Sequence, residues 1–156
     1  YGENHSRVAS VYNDIGEIYS VQGDDFKALD YFKKSLKIVL SVYGENHSQV
    51  SSIYDHIGEI YFAQKDYSKA LYYFEESLKI RLSLFGENHP EVALSYYSIG
   101  SLYIIQGDKS KALNYYEKSL KIRLSVYGEN HPLTKEIMDL INVANSKVLQ
   151  SPETTK

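Results

Sequence analysis

The chain has 156 residues, a formal net charge of −3, 43% hydrophobic and 24% charged residues, and no cysteine. That length allows one sizeable core, the apolar content excludes a disordered chain, and the absent basic surplus argues against a nucleic-acid or anionic-membrane surface. Without thiolates there is no disulfide and no cysteine-bound zinc or iron–sulfur chemistry. A reducing, cytoplasmic setting is therefore expected, since no apolar run reaches the ~20 residues of a membrane span and no signal-peptide pattern opens the chain.

One motif organises everything else. Tyr1-Gly2-Glu3-Asn4-His5 returns as Tyr43-Gly44-Glu45-Asn46-His47, as Phe85-Gly86-Glu87-Asn88-His89 and as Tyr127-Gly128-Glu129-Asn130-His131, a period of 42 residues without insertion or deletion. Between the first two copies 27 of 42 columns are identical. A fixed register means that each copy holds the same structural place, the mark of a solenoid. In chain order, the first element is a helix A with Val8, Tyr12, Ile15 and Tyr19 on one face. Gln22-Gly23-Asp24 ends it, because glycine takes the left-handed conformation and aspartate caps the next helix. A longer helix B then carries Phe26, Leu29, Phe32, Leu36 and Leu40 and stops at Gly44. The second and third units repeat this plan, and Pro90 fits the first position of a helix, where no amide hydrogen is needed. Pro132 opens a last helix with Leu133, Ile137, Leu140 or Ile141, and Ala144 as its apolar stripe. No segment alternates with the period of a strand. The expected layout is all-α and one array over 1–150, with repeats at about 6–47, 48–89 and 90–131. A capping helix over about 132–149 and a disordered tail at 151–156 complete it.

The spaced positions resemble a tetratricopeptide repeat. The helix-A pattern reads Tyr12, Ile15, Gly16, Tyr19, then Tyr54, Ile57, Gly58, Tyr61, then Tyr96, Ile99, Gly100, Tyr103. The helix-B alanine stands at Ala28, Ala70 and Ala112, with an aromatic four residues later at Phe32, Phe74 and Tyr116. Gly16 and Ala28 have little or no side chain, so helices A and B can approach closely there, and the aromatics fill the space between successive hairpins. The 42-residue unit and its connector are similar to the repeats of kinesin light chains. This resemblance covers residues 1 to about 130. It implies a right-handed α-solenoid of three helix hairpins plus a capping helix, seven helices in all, acting as a non-catalytic interaction scaffold. Two departures stand out. The small residue late in helix B is serine (Ser35, Ser77, Ser119), and the asparagine after the first aromatic survives only as Asn13. A kinesin-type cargo preference is therefore not implied.

Few side chains suggest chemistry. The connector histidines His5, His47, His89 and His131 recur once per unit, and successive units lie at least one interhelix distance of ~8–10 Å apart. Metal ligands must stand ~2 Å from the ion, so these histidines are assigned to starting helix A. His56 alone lies within a helix A, where Asp55 and Glu59 could join it around a metal, although a solvated histidine is the simpler reading. Glu75 and Glu76 are adjacent on a helix and diverge. Asn4-His5-Ser6 and Asn46-His47-Ser48 match the glycosylation sequon but are read as repeat drift. Lys79-Ile80-Arg81 and Lys121-Ile122-Arg123 are expected to form a solvated stripe on helix B. No phosphate loop, nucleophile elbow or nucleophile–base pair is present. No enzymatic activity, cofactor or metal is expected.

In the family resembled, helices A line a concave groove. The positions one step off the buried helix-A stripe are Ser10, Asn13, Glu17 and Ser20, then Ser52, Asp55, His56, Glu59 and Phe62, then Leu94, Tyr97, Ser98, Ser101 and Ile104. These columns vary between copies more than the framework does. Asp14, Glu17, Asp55 and Glu59 make the first two units acidic, with no lysine or arginine among these positions, and the third offers Leu94, Tyr97 and Ile104. The expected partner is a protein or peptide with basic residues and an apolar or aromatic anchor. The alternative is a spacer or self-associating array in which an exposed first helix stacks on another molecule.

Overall fold

The computed structural model describes residues 2–146, and the side chains from His5 onward. Seven helices occur among them: α1 (Gly2–Val21), α2 (Asp25–Tyr43), α3 (Ser48–Ala63), α4 (Tyr67–Phe85), α5 (Pro90–Ile105), α6 (Lys109–Tyr127) and α7 (Pro132–Ser146). They form three antiparallel hairpins, α1–α2, α3–α4 and α5–α6, with α7 laid against α6. The fold is all-α, as the sequence predicts. The expected tail at 151–156 and the last residues of the expected capping helix, 147–149, lie outside the described residues. The chain divides into two compact units, Tyr1–Gly86 and Glu87–Lys156. The first holds α1 to α4; the second holds α5 to α7.

Every boundary has a local cause. Asp24, Asp66 and Asp108 cap the B helices, each accepting from the backbone amide three residues on at 3.1–3.3 Å. The lysine that supplies each amide also reaches back to the cap carboxylate, at 2.7–3.1 Å. That contact holds the carboxyl of Asp24 and of Asp66 below its ordinary value. Gly44, Gly86 and Gly128 stop the B helices at φ between 77 and 80°. One turn position departs from the pattern. Gly23 and Gly107 take φ of 76 and 81° where α1 and α5 end, and the matching residue after α3 is Lys65, at φ 62°. A side chain there is strained by ~1–2 kcal/mol, partly offset because glycine is freer in the unfolded chain. Lys65→Gly is expected to stabilise the protein by about 0.5–1 kcal/mol in urea denaturation. Unchanged or lower stability would show that the left-handed strain is relieved locally.

The connector histidines start helices, as expected, and they do so with the ring. Nδ1 of His47, His89 and His131 accepts the amide hydrogen of Gln49, Glu91 and Leu133, each at 3.2 Å. An accepting Nδ1 leaves Nε2 as the ring's donor. His47 also stacks on Tyr43 and His131 on Tyr127, with centroids 4.3 and 4.5 Å apart. His47→Ala should cost about 1 kcal/mol as the cap is lost, and His47→Asn, which keeps an acceptor, about half of that. Equal losses in the two variants would assign the role to the ring stack alone. The first Gly-Glu-Asn-His copy behaves differently: residues 2–5 are already helical within α1, where helix A was expected to begin at about residue 6. In the other copies the glycine instead terminates the preceding B helix.

Inside each hairpin the tight approach falls at the glycines. A Cβ on Gly16 would meet the Phe32 ring at 2.8 Å, and one on Gly58 or Gly100 would meet Phe74 or Tyr116 at 2.7 Å. Ala28, Ala70 and Ala112 are wholly buried beside them. Ser35 and Ser119 donate to the carbonyls of Ala9 and Ala93 at 2.8 and 2.7 Å, tying helix B to helix A. Much of the tyrosine surplus is explained here as well. Tyr31 sits between Tyr12 and Tyr19, Tyr73 between Tyr54 and Tyr61, and Tyr115 between Tyr96 and Tyr103, with centroids 5.7–6.0 Å apart. Two expected core positions are instead on the surface: Val8 and Phe26 are 43% and 84% exposed. Phe26 stands in a column that is exposed in every hairpin, as at Ser68 and Ser110, whereas Val50, the register equivalent of Val8, is fully buried in the core that contains Phe32 and Val39.

Candidate functional site

The residues singled out for binding fall into two groups, one in each unit. In the first unit, Asn13 on α1 donates through Nδ2 to Glu17 Oε1 at 2.6 Å. The same Glu17 oxygen lies 3.3 Å from Nε2 of His56 on α3, and Glu59 lies 3.9 Å from its Nδ1. His56 is fixed by a parallel stack on Phe32, with centroids 5.0 Å apart. Glu17 and Glu59 are exposed, as are Asp14 and Ser20. Phe62 is half-buried, edge-on to Tyr67. Asn13, Glu17, His56 and Glu59 are thus brought together on α1 and α3.

Asp55 is not part of that group. Its carboxylate pairs with Arg81 of α4 at 2.7 Å, and Arg81 is only 4% exposed. Burial raises the Asp55 carboxyl above its ordinary value, and Arg81 offsets part of the rise. The Ser77 hydroxyl, buried and lacking a partner of good hydrogen-bond geometry, lies close enough to favour the charge slightly. One expectation is corrected: Arg81 is no part of a solvated stripe. Asp55 is committed to Arg81 and not to His56 and Glu59. Among the described residues no cluster of three histidine or carboxylate side chains converges on a point.

The second unit repeats the burial with other partners. Arg123 on α6 is 3% exposed, so the solvated-stripe expectation fails here too. Its Nη1 donates to the Leu133 carbonyl at 2.6 Å and lies 3.5 Å from Glu136 on α7. The guanidinium stands over the Tyr97 ring, 4.9 Å from the centroid. Tyr97 donates its hydroxyl to Glu136 at 3.0 Å, and burial first, then that carboxylate, raises its pKa. Ser101 donates to the Tyr97 carbonyl and meets the Tyr116 hydroxyl at 3.1 Å. Leu94 and Ile104 are exposed, and Ser98 is half-buried. Tyr97 is therefore engaged by the protein itself, which leaves Leu94 and Ile104 as the open apolar side chains of this group.

A signal for the missed arginines was present in the repeat. Column by column, Val39 becomes Arg81 and Arg123 while Asn13 becomes Asp55 and Tyr97. The side chain that grows long and cationic does so opposite one that becomes anionic or aromatic.

The family model for the tetratricopeptide repeat matches residues 7–83 and 52–125. No curated protein sequence matches the chain. Among solved structures, a putative kinesin light chain of Podosopora anserina with nearly identical repeats is 18% identical, with TM-score 0.78 over 96% of this chain and 72% of that one. BtubC (BKLC) from P. vanneervenii is 20% identical, with TM-score 0.74 over 95% of this chain and 67% of that one. The first repeat domain of Spaghetti (RPAP3), bound to the HSP90 peptide SRMEEVD, is 16% identical, with TM-score 0.66 over 93% and 98%. No described helix is long and apolar enough to cross a membrane. With its repeats matched over more than half its length and its hairpins built as described, the chain belongs to the tetratricopeptide-repeat family.

Proposed function

We infer that the chain is a non-catalytic protein-interaction scaffold whose A helices receive a peptide or protein segment. The observation that carries this reading is the acidic group of the first unit. Asp14, Glu17 and Glu59 are exposed on α1 and α3, and the basic group paired with Glu17 and Glu59 is His56. Such a surface attracts cationic residues and repels anionic ones. The Spaghetti repeat domain is bound to a peptide rich in carboxylates; the first unit here has the opposite preference. Asn13, Glu17, Ser20, His56 and Glu59 are its contact residues, with Phe62 beside them. In the second unit Leu94 and Ile104 take an apolar or aromatic residue, with Tyr97, Ser98 and Ser101 around them. Asp55, held by Arg81, contributes less charge to a partner than its position suggests. A cytoplasmic setting fits the cysteine-free composition.

The test is fluorescence anisotropy with one peptide made in lysine-containing and glutamate-containing forms. The lysine form should bind at least tenfold more tightly at low salt, and Glu17→Lys with Glu59→Lys should reverse the order. Preference of the unaltered protein for the glutamate form would overturn the reading.

A second reading, self-association without a dedicated peptide ligand, has one specific observation in its favour. Val8, Val11 and Ile18 on α1 are 43–55% exposed, while their register equivalents on α3, Val50, Ile53 and Ile60, are buried in the first unit's core. α1 thus shows solvent the face that α3 packs inside. Light scattering over a concentration series decides it: a mass that rises with concentration and falls back in Val11→Glu/Ile18→Glu supports this reading, and a constant monomer mass rejects it.

A further inference from the structure

Between α1, α2 and α3 lies a cavity of about 140 Å³. Its apolar wall includes Ala9, Val39 and Ile53, all buried, and its rim includes Ser10, Asp14 and Ser52, all exposed. Asn13 and Gln49 also line it. The side-chain carbonyl oxygens of these two amides, Asn13 Oδ1 and Gln49 Oε1, are buried and accept no hydrogen bond. Leaving such an acceptor buried and unmade is costly, and two around one cavity mark a place where donors belong. The volume is well beyond the ~10–15 Å³ that a single water requires.

The second unit shows which donor fits. Each lining position has a counterpart there, and the counterpart of Val39 is Arg123. Arg123 stands over Tyr97, donates to the backbone of Leu133 and approaches Glu136. By the 42-residue register those three correspond to Asn13, Gln49 and Ser52. The guanidinium in the second unit thus occupies the place that the short Val39 leaves open in the first. We propose that this cavity is a guanidinium site, which takes an arginine side chain of the bound partner where the other repeats supply their own. The planar fork has five donors and no acceptor, which suits a site whose unmet groups are acceptors. Asp14 at the rim and Glu17, hydrogen-bonded to Asn13, supply the negative charge without which a cation would not leave water. The proposal rests on the peptide-binding reading above and sharpens it from a basic segment to an arginine at one place.

The experiment uses the full chain, labelled with ¹⁵N, and three probes: N-acetyl-arginine amide, its uncharged isostere N-acetyl-citrulline amide, and the corresponding lysine derivative. The arginine probe should shift the side-chain amide resonances of Asn13 and Gln49, with the citrulline and lysine probes at least tenfold and threefold weaker. Val39→Arg, which restores the residue of the other repeats, should abolish the response. Gln49→Met, which removes one acceptor without adding charge, should weaken it at least fivefold, and decides the matter if Val39→Arg fails to fold. Equal response to citrulline, shifts confined to Glu17 and Glu59, or full binding by a folded Val39→Arg or Gln49→Met protein would overturn the guanidinium site, as would no response at all, which would leave water as the occupant. Lysine-peptide binding that still depends on Glu17 and Glu59 would then leave the broader peptide reading standing. Loss of that dependence would remove the broader reading by itself.

Discussion

Arg81→Val is expected to lower folding stability by about 2–3 kcal/mol at neutral pH, and adding Asp55→Asn should recover most of the loss. Arg81 is 4% exposed and pairs with Asp55, whose side chain is 20% exposed. Removing one member of a buried pair leaves the other without its counter-charge, typically at ~3–5 kcal/mol; the partial exposure of Asp55 sets the lower figure. Removing both leaves Asn and Val, the pair that the first repeat carries at Asn13 and Val39. Asn leaves no charge stranded, so most of the deficit is recovered. Val is smaller than Arg, and the space it leaves, as at Val39, accounts for the remainder.

The pH dependence has a defined sign. Burial already raises the Asp55 carboxyl, and loss of Arg81 raises it further. A carboxyl whose folded pKa lies above the unfolded value of ~3.9 binds protons more tightly in the folded state. Its ionisation therefore removes stability as pH rises through the folded pKa. The deficit of Arg81→Val is expected to be largest at neutral pH and to shrink as pH falls towards 4. The readout is urea denaturation at several pH values, for the single and double variants together. A double variant no more stable than Arg81→Val would mean that the arginine contributes by packing its stem, not by its charge.

Gly58→Ala should cost about 1–2 kcal/mol, against the helix-propensity rule. In a solvent-exposed helix that change gains ~1 kcal/mol. Here the new Cβ would stand 2.7 Å from the Phe74 ring and 3.4 Å from the Ala70 carbonyl oxygen. Phe74 is buried at 5% exposure, so its ring has little room to turn away, and overpacking of this kind costs ~1–3 kcal/mol. Phe74→Leu opens space at the contact. In that background Gly58→Ala should become neutral or stabilising, giving a coupling energy of at least about 1 kcal/mol in the double-mutant cycle. Stabilisation by Gly58→Ala in the unaltered protein would show that helix A shifts away freely.

The two changes also separate what was legible in the sequence from what was not. The close approach at Gly16, Gly58 and Gly100 could be anticipated, because small residues recur there in register with Ala28, Ala70 and Ala112; that the aromatic of the same hairpin meets the glycine could not. Helix boundaries were legible for the same reason: Asp at the cap, Gly at the stop and His at the start act within one turn of the backbone, so their effect is written locally. Lys65 was the exception, a lysine held in a glycine conformation because the hairpin on either side fixes the turn.

The candidate site was legible only in part. Asn13, Glu17, His56 and Glu59 lie near one another, since i to i+4 spacing and the 42-residue register bring them to neighbouring helices. Asp55 and Tyr97 were placed on the same face, but their partners were not seen. Arg81 and Arg123 follow Asp55 and Tyr97 by 26 residues, and helical periodicity says nothing about which side chain crosses from one helix to the next. The sequence by itself determined the hairpins, their caps and the all-α class, because these depend on neighbours within a few residues and on a period that repeats. Only the tertiary structure decided that two apparently solvated arginines are buried, that Asp55 is neutralised, and that Val39 leaves two amide oxygens without donors. Burial and charge compensation are properties of packed surfaces, and those exist only once separate helices meet.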